Sequence, residues 1–290
     1  MTTALPTPTR SGVPTLSPVK HVQRLFVRAV CRLLPPVGKN LVWRHFRTPR
    51  QLPLYGQREL PERAAPFRLP YQRAYLHGYT WGSGERIVYL VHGWESHLGH
   101  MTGFVSPLVE AGFKVVAFDM PGHGYSGRQA TDLLVFGHAL EHVCSVHGKA
   151  YGLVAHSYGA TATLLSLARS AQLPAKVALI APMRSLKDHV DIFDEVLTLH
   201  ERVRSDLVGK LEVQLGLSLA DTDIVKAVAG QTPGGLIVHY REDRFIQYES
   251  GQAVAAAWKD ATLYTTQGLG HARLLRAQSV ITEITRYLSA

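Results

Sequence analysis

No acidic residue occurs before Glu59 in this 290-residue chain, although Arg10, Lys20, Arg24, Arg28, Arg32, Lys39, Arg44, Arg47 and Arg50 all precede it. The net charge of +9 therefore belongs to an N-terminal arm, and the rest is close to balanced. No zinc finger or other recognition motif accompanies the basic residues, so nucleic-acid binding is not expected. Cysteine is scarce too. Cys31 and Cys144 are too few for a disulfide framework and sit in helical patterns suited to small buried thiols, which points to a reducing, cytoplasmic setting. No apolar run reaches membrane-spanning length. The opening residues have no basic start followed by an apolar core, so no export signal is expected. His92, His97, His100 and His123 form no metal-ligand pattern, and Gly122-His123-Gly124 lacks the spacing that cradles a pyrophosphate; neither metal nor cofactor is expected.

Hydrophobic residues make up 46% of the chain, enough to bury one large core. Residues 1–18, rich in proline, threonine and serine, read as a flexible leader. Residues 19–70 read as a basic helical arm and connector. Within the arm, Val22, Leu25, Phe26, Ala29, Val30, Leu33 and Leu34 share one helical face opposite Lys20, Arg24, Arg28 and Arg32, and Pro35-Pro36 ends the helix. The ordinary expectation is a helix packed on the main domain with its arginines in water; peripheral membrane contact is the alternative.

From Tyr71 the pattern becomes that of an α/β domain, 71–290. Arg86–Val91 is a nearly continuous apolar run, as parallel strands require when helices cover both faces. Strands at Lys114–Phe118, Tyr151–Ala155 and Lys176–Ile180 alternate with helices at Phe104–Ala111, Leu133–His147 and Ala160–Ala171, predicting a mostly parallel doubly wound sheet. The rhythm breaks at 186–233, which has helical material without a core strand and reads as a helical cap. Strands resume at Gly235–Tyr240 and Ala261–Thr266, before a terminal helix at Ser279–Leu288.

Leu153-Val154-Ala155-His156-Ser157-Tyr158-Gly159 runs an apolar strand into a tight turn and an alanine-rich helix, which exposes the Ser157 hydroxyl as a candidate nucleophile. A serine needs a base within reach and a third group to orient that base. His271, among Gly268 and Gly270, is the candidate base. His156 is a poor one, because side chains adjacent on such a turn point apart. Asp243 is the candidate acid, with Glu242 its neighbouring competitor. His92-Gly93-Trp94 follows a strand end and offers the Trp94 backbone N–H, beside that of Tyr158, to a developing oxyanion. Trp94, Glu95 and Tyr125 are candidate pocket residues. The turn Asp119–Gly124 reads as scaffold.

These residues resemble the serine α/β-hydrolase superfamily, and the likeness extends over about Tyr71–Leu288. The family's histidine-glycine turn looks like His92-Gly93-Trp94 and its aspartate-proline-glycine-histidine-glycine turn like Asp119–Gly124. Its nucleophile, acid and base match Ser157, Asp243 and His271. Ala155 stands where the usual elbow begins with glycine, and Tyr240 where many relatives carry glycine. Together with Gly268–Arg273, these departures suggest a little-characterised bacterial branch. The resemblance implies the α/β-hydrolase fold and hydrolysis of a small or medium hydrophobic carboxylic ester through an acyl-enzyme. Thioester or carbon-carbon bond hydrolysis, or a noncatalytic ligand-binding protein of the same fold, are the alternatives. Partners beyond the small-molecule substrate and the oligomeric state are not indicated.

Overall fold

The computed structural model describes residues 18–50, 52–53, 60–170, 174–231 and 234–290, so all but the last residue of the expected leader lies outside it. Among the described residues, eight strands form one sheet: β1 (Ala65–Tyr71), β2 (Ala74–Trp81), β3 (Ile87–Val91), β4 (Lys114–Phe118), β5 (Ala150–His156), β6 (Lys176–Ile180), β7 (Leu236–Tyr240) and β8 (Thr262–Thr266). Their order is β1-β2-β4-β3-β5-β6-β7-β8. β2 runs antiparallel to both neighbours, and every other pairing is parallel. This is the α/β-hydrolase architecture the sequence predicts.

Helices bury both faces of the sheet. Val88 and Leu90 of β3 join the core with α3 (Val105–Glu110) and α10 (Gln278–Ser289), whereas Tyr89 and Val91 point into the core with α4 (Leu133–His147), α5 (Tyr158–Ser170) and α9 (Tyr248–Ala257). Alternate residues of one five-residue strand thus feed two cores, which is why β3 is apolar throughout.

The cap lies between β6 and β7 and contains α6 (Leu186–Leu197), α7 (Glu201–Leu215) and α8 (Ile224–Val228). Its base is fastened twice. Ser185 and Asp188 form a reciprocal capping box at the start of α6, and Arg184 makes a bidentate pair with Asp223, which also caps α8.

Four features depart from expectation. The sheet opens at Ala65, before Tyr71, because Pro66 and Pro70 disguise an edge strand, where a missing N–H is tolerated. Pro35-Pro36 ends α1 (Pro18–Leu33) but also begins α2 (Pro35–Arg47), since proline suits the first helical turn. The helix α9 between β7 and β8 had no predicted counterpart. The fourth departure is α1 itself: Val22, Leu25, Phe26, Leu33 and Leu34 are exposed, while Val27 is buried. The stripe that periodicity detects is real but faces away from the body.

α2 is fixed to the sheet's helical layer. Val42 and Phe46 are buried, and Arg47 Nη2 donates to Asp132 Oδ2 at 3.0 Å, while Asp132 Oδ1 caps α4 through Val135 N–H. Lys39 pairs with Asp206 of α7 at 3.0 Å. α2, which has no acid of its own, finds its counter-charges on the body.

Candidate functional site

Strand register brings the candidate residues to one edge. Val91 pairs with Ala155, and Ala155 in turn pairs with Leu179, so the turns leaving β3, β5 and β6 start at the same level. Such carboxyl ends are where open α/β sheets collect functional groups.

Ser157 occupies the junction of β5 and α5 at φ +52°, a left-handed conformation rarely held by a residue with a side chain. Its N–H donates to Ile180 O at 2.9 Å, and its carbonyl accepts the first helical bonds from Ala160 and Thr161. Two residues on from Ser157, in the first turn of α5, glycine is required: a Cβ at Gly159 would lie 2.2 Å from His92 O. A Cβ at Gly93 would lie 3.2 Å from the Ser157 Cβ. The two glycines let the turn after β3 close against the serine turn.

His92 orients that closing turn. The ring is fully buried; its Nδ1–H donates to Gly93 O at 2.8 Å and its Nε2 accepts from Met120 N–H at 2.9 Å. This pattern requires a neutral imidazole, and burial followed by the nearby His123 pushes the pKa well down. Carbonyl and N–H point opposite ways across a planar trans peptide, so tying Gly93 O to His92 turns the Trp94 N–H away from that ring. His123 performs the same service one residue later. Its Nε2 accepts from Glu95 N–H at 3.1 Å and its Nδ1–H donates to Pro121 O at 3.0 Å, while burial lowers its pKa to about 4.

Asp119 serves as scaffold in the adjoining turn. Oδ1 accepts from Leu98 N–H and Oδ2 from Tyr125 N–H, each at 2.8 Å, and Gly124 approaches so closely that a Cβ would meet the carboxylate at 2.2 Å.

Beyond β7, Asp243 is buried, whereas Glu242, Arg241 and Arg244 are exposed. Asp243 Oδ1 accepts from Phe245 and Ile246 N–H at 2.8 and 3.0 Å, and Oδ2 lies 2.7 Å from His271 Nδ1. Burial raises the Asp243 pKa, but the His271 hydrogen bond and charge and the two backbone donors outweigh it and hold the carboxyl below its ordinary value. The His271 ring lies beside the serine turn, 4.7 Å from the His156 ring centroid. Both His156 nitrogens are buried without a hydrogen-bond partner, and burial holds that ring neutral. Its ring packs against that of His271.

Among the pocket candidates, the Trp94 ring reaches the serine turn, 5.2 Å from Tyr158. Tyr125 packs on His77 of β2 at 5.3 Å. Glu95, at φ +47°, makes a multiple ion pair with Arg50 that includes two bonds of 2.8 Å from Arg50 Nε. Burial raises the Glu95 pKa, yet the Arg50 bonds and charge prevail and lower it.

Three residues around this turn had no place among the sequence candidates: Arg50, Phe46 and His189. The His189 ring, from α6, lies 5.1 Å from Trp94, 4.9 Å from Tyr158 and 4.9 Å from Phe46. Cap, arm and elbow meet there. The signal in Arg50 was the charge imbalance of the arm; Phe46 and His189 carried none, because their partners are more than 30 residues away.

Comparison with known proteins agrees with this architecture. Residues 82–231 match the family described as serine aminopeptidase, S33. A serine hydrolase-like protein of Danio rerio is 39% identical over 67 residues, which span 23% of this chain and 20% of that protein. A Pyrococcus furiosus esterase superposes with a TM-score of 0.62 at 14% identity, covering 83% of this chain and 98% of that one. A bromoperoxidase from Bacillus anthracis gives 0.60 at 18% identity, covering 78% and 100%. These two structures share the fold. With more than half of its length matched, the chain belongs to the serine aminopeptidase S33 family of α/β-hydrolases.

Proposed function

We propose that the protein is a serine hydrolase that cleaves small or medium hydrophobic carboxylic esters through an acyl-enzyme. The observation that carries this reading is the 2.7 Å Asp243–His271 bond beside Ser157, itself held in a left-handed turn. Asp243 keeps the proton on His271 Nδ1, leaving the Nε2 lone pair to take the Ser157 proton as Oγ attacks the ester carbonyl. The oxyanion is received by the N–H groups of Trp94 and Tyr158. His271 then protonates the departing alkoxide. Water, deprotonated by the same imidazole, cleaves the acyl-enzyme and regenerates the serine. In this reading 71–290 is the catalytic domain and 186–233 its cap.

The family's description names aminopeptidases, whose substrates bring an ammonium group. Glu95, the carboxylate next to Trp94, is already neutralised by Arg50, so it is not available to hold that ammonium. That favours esters.

A serine-directed fluorophosphonate followed by peptide mass spectrometry tests the assignment. The expected adduct is on Ser157 and disappears in Ser157→Ala; labelling of another serine overturns it. An ester series graded by acyl length, run beside matched thioesters and aminoacyl amides, then defines the substrate. Faster turnover of the amides would reverse the preference proposed here.

A further inference from the structure

α1 has three chemically distinct sides. Val27 is buried against the body. Arg24, Arg28 and Arg32, spaced four apart, form a basic stripe. Val22, Phe26 and Leu33 form the outward stripe, at 66%, 61% and 75% exposed. Leu25, Leu34 and Val37, at 52%, 56% and 53%, extend the apolar surface onto the turn and the start of α2. An isolated exposed leucine needs no explanation, but a continuous run along one helix does.

Beneath α1 lies a cavity of about 950 Å³, bounded by α2 and the α6–α7 turn. Leu25, Val27, Ala29, Leu199 and Val203 contribute apolar wall, and Arg28 and Arg32 contribute charge, Lys39 being paired with Asp206. Both sides of α1 therefore offer the same pair of chemistries, hydrocarbon contact beside fixed cations.

We infer that α1 docks in the plane of an anionic phospholipid surface, inserting Phe26 and Leu33 among the acyl chains while Arg28 and Arg32 meet the headgroups. Charge complementarity selects this occupant. α1 and α2 contain no aspartate or glutamate, so a second copy packed through the same face would bring two arginine stripes together with no acid from either helix to match them. An anionic bilayer supplies the negative charge and the apolar phase together, at the shallow depth an in-plane amphipathic helix occupies. No described helix is long and apolar enough to cross a membrane, so the contact is with one leaflet.

Flotation of the full-length protein with phosphatidylcholine vesicles, with and without phosphatidylglycerol, tests this. The expected result is recovery with the anionic vesicles, weakened by salt. Phe26→Glu with Leu33→Glu should lower partitioning at least about tenfold, with hydrolysis of a short soluble ester unchanged as evidence of folding. Arg28→Gln with Arg32→Gln should remove the preference for phosphatidylglycerol. Equal recovery of wild type and the double glutamate variant overturns the proposal. So does absence of binding, whether the protein is then a dimer that Phe26→Glu dissociates, which assigns the face to a second copy, or a monomer with the stripe covered by its own chain.

Discussion

The first and last helices have the same amphipathic pattern and opposite fates. In α10, Val280, Ile281, Ile284 and Leu288 are all buried against β6, β7 and α3. In α1, most of the corresponding stripe is exposed, and the side that meets the body is centred on Val27. Periodicity reveals that a helix has an apolar side; it does not reveal what lies opposite. α10 follows β8 across the loop that carries His271 and has a sheet to cover. α1 precedes the sheet and rests on α2 and α6, with α2 fixed by its Arg47–Asp132 and Lys39–Asp206 pairs.

The proposed active site belongs to neither helix and sets the upper end of the scale. Asp243→Asn should lower kcat for a short ester by roughly 10⁴-fold, because the wrong His271 tautomer is favoured; a loss below about tenfold would remove Asp243 as the orienting acid. The same residue gives a pH signature. Its carboxyl is held below the ordinary 3.8, so its contribution to stability is present at neutral pH and is lost as pH falls through the native value. Thermal melts below that ordinary value should therefore show a smaller acid-induced drop in Asp243→Asn than in wild type.

Next in size comes the direct contrast between the helices. Ile284→Ala in α10 should cost about 3 kcal/mol in denaturant unfolding, as a fully buried truncation does. Phe26→Ala in α1 should stay within about 0.5 kcal/mol. Similar losses at both positions would mean that α1 is packed in solution, and the contrast would fail.

Arg50→Ala probes the arm from the other side. The pair with Glu95 is partly exposed, so the melting temperature should hardly move. Glu95 nevertheless follows Trp94 in the strained turn, and loosening it should lower kcat by about tenfold while KM changes little. A fall in stability with kcat preserved would make Arg50 an ordinary surface tether.

Much of the sheet was legible because its strands are buried on both faces and read as apolar runs: β3, β4, β5, β6 and β7 lie where the sequence places them. β1 escaped because an edge strand accepts proline. Ser157, Asp243 and His271 stood out because each follows an apolar strand in a turn of small or polar residues. Their shared edge follows from register, with Val91, Ala155, Leu179, Ile237 and Leu263 level across the sheet. The choice between Asp243 and Glu242 rests on burial, since both are carboxylates on the same turn and one alone faces His271.

Local chemistry in the chain was enough to specify most of the strands and helices, though not β1 or α9, together with the serine turn and the existence of an apolar stripe on α1, since these depend on neighbours within a few residues. Long-range packing assigned that stripe to the outside, drew Arg50 to Glu95 and set His189 of the cap in edge contact with both Phe46 and Trp94. Those outcomes depend on which surfaces remain uncovered and which charges remain unmatched once the sheet has formed, and neither quantity is a property of any local stretch of sequence.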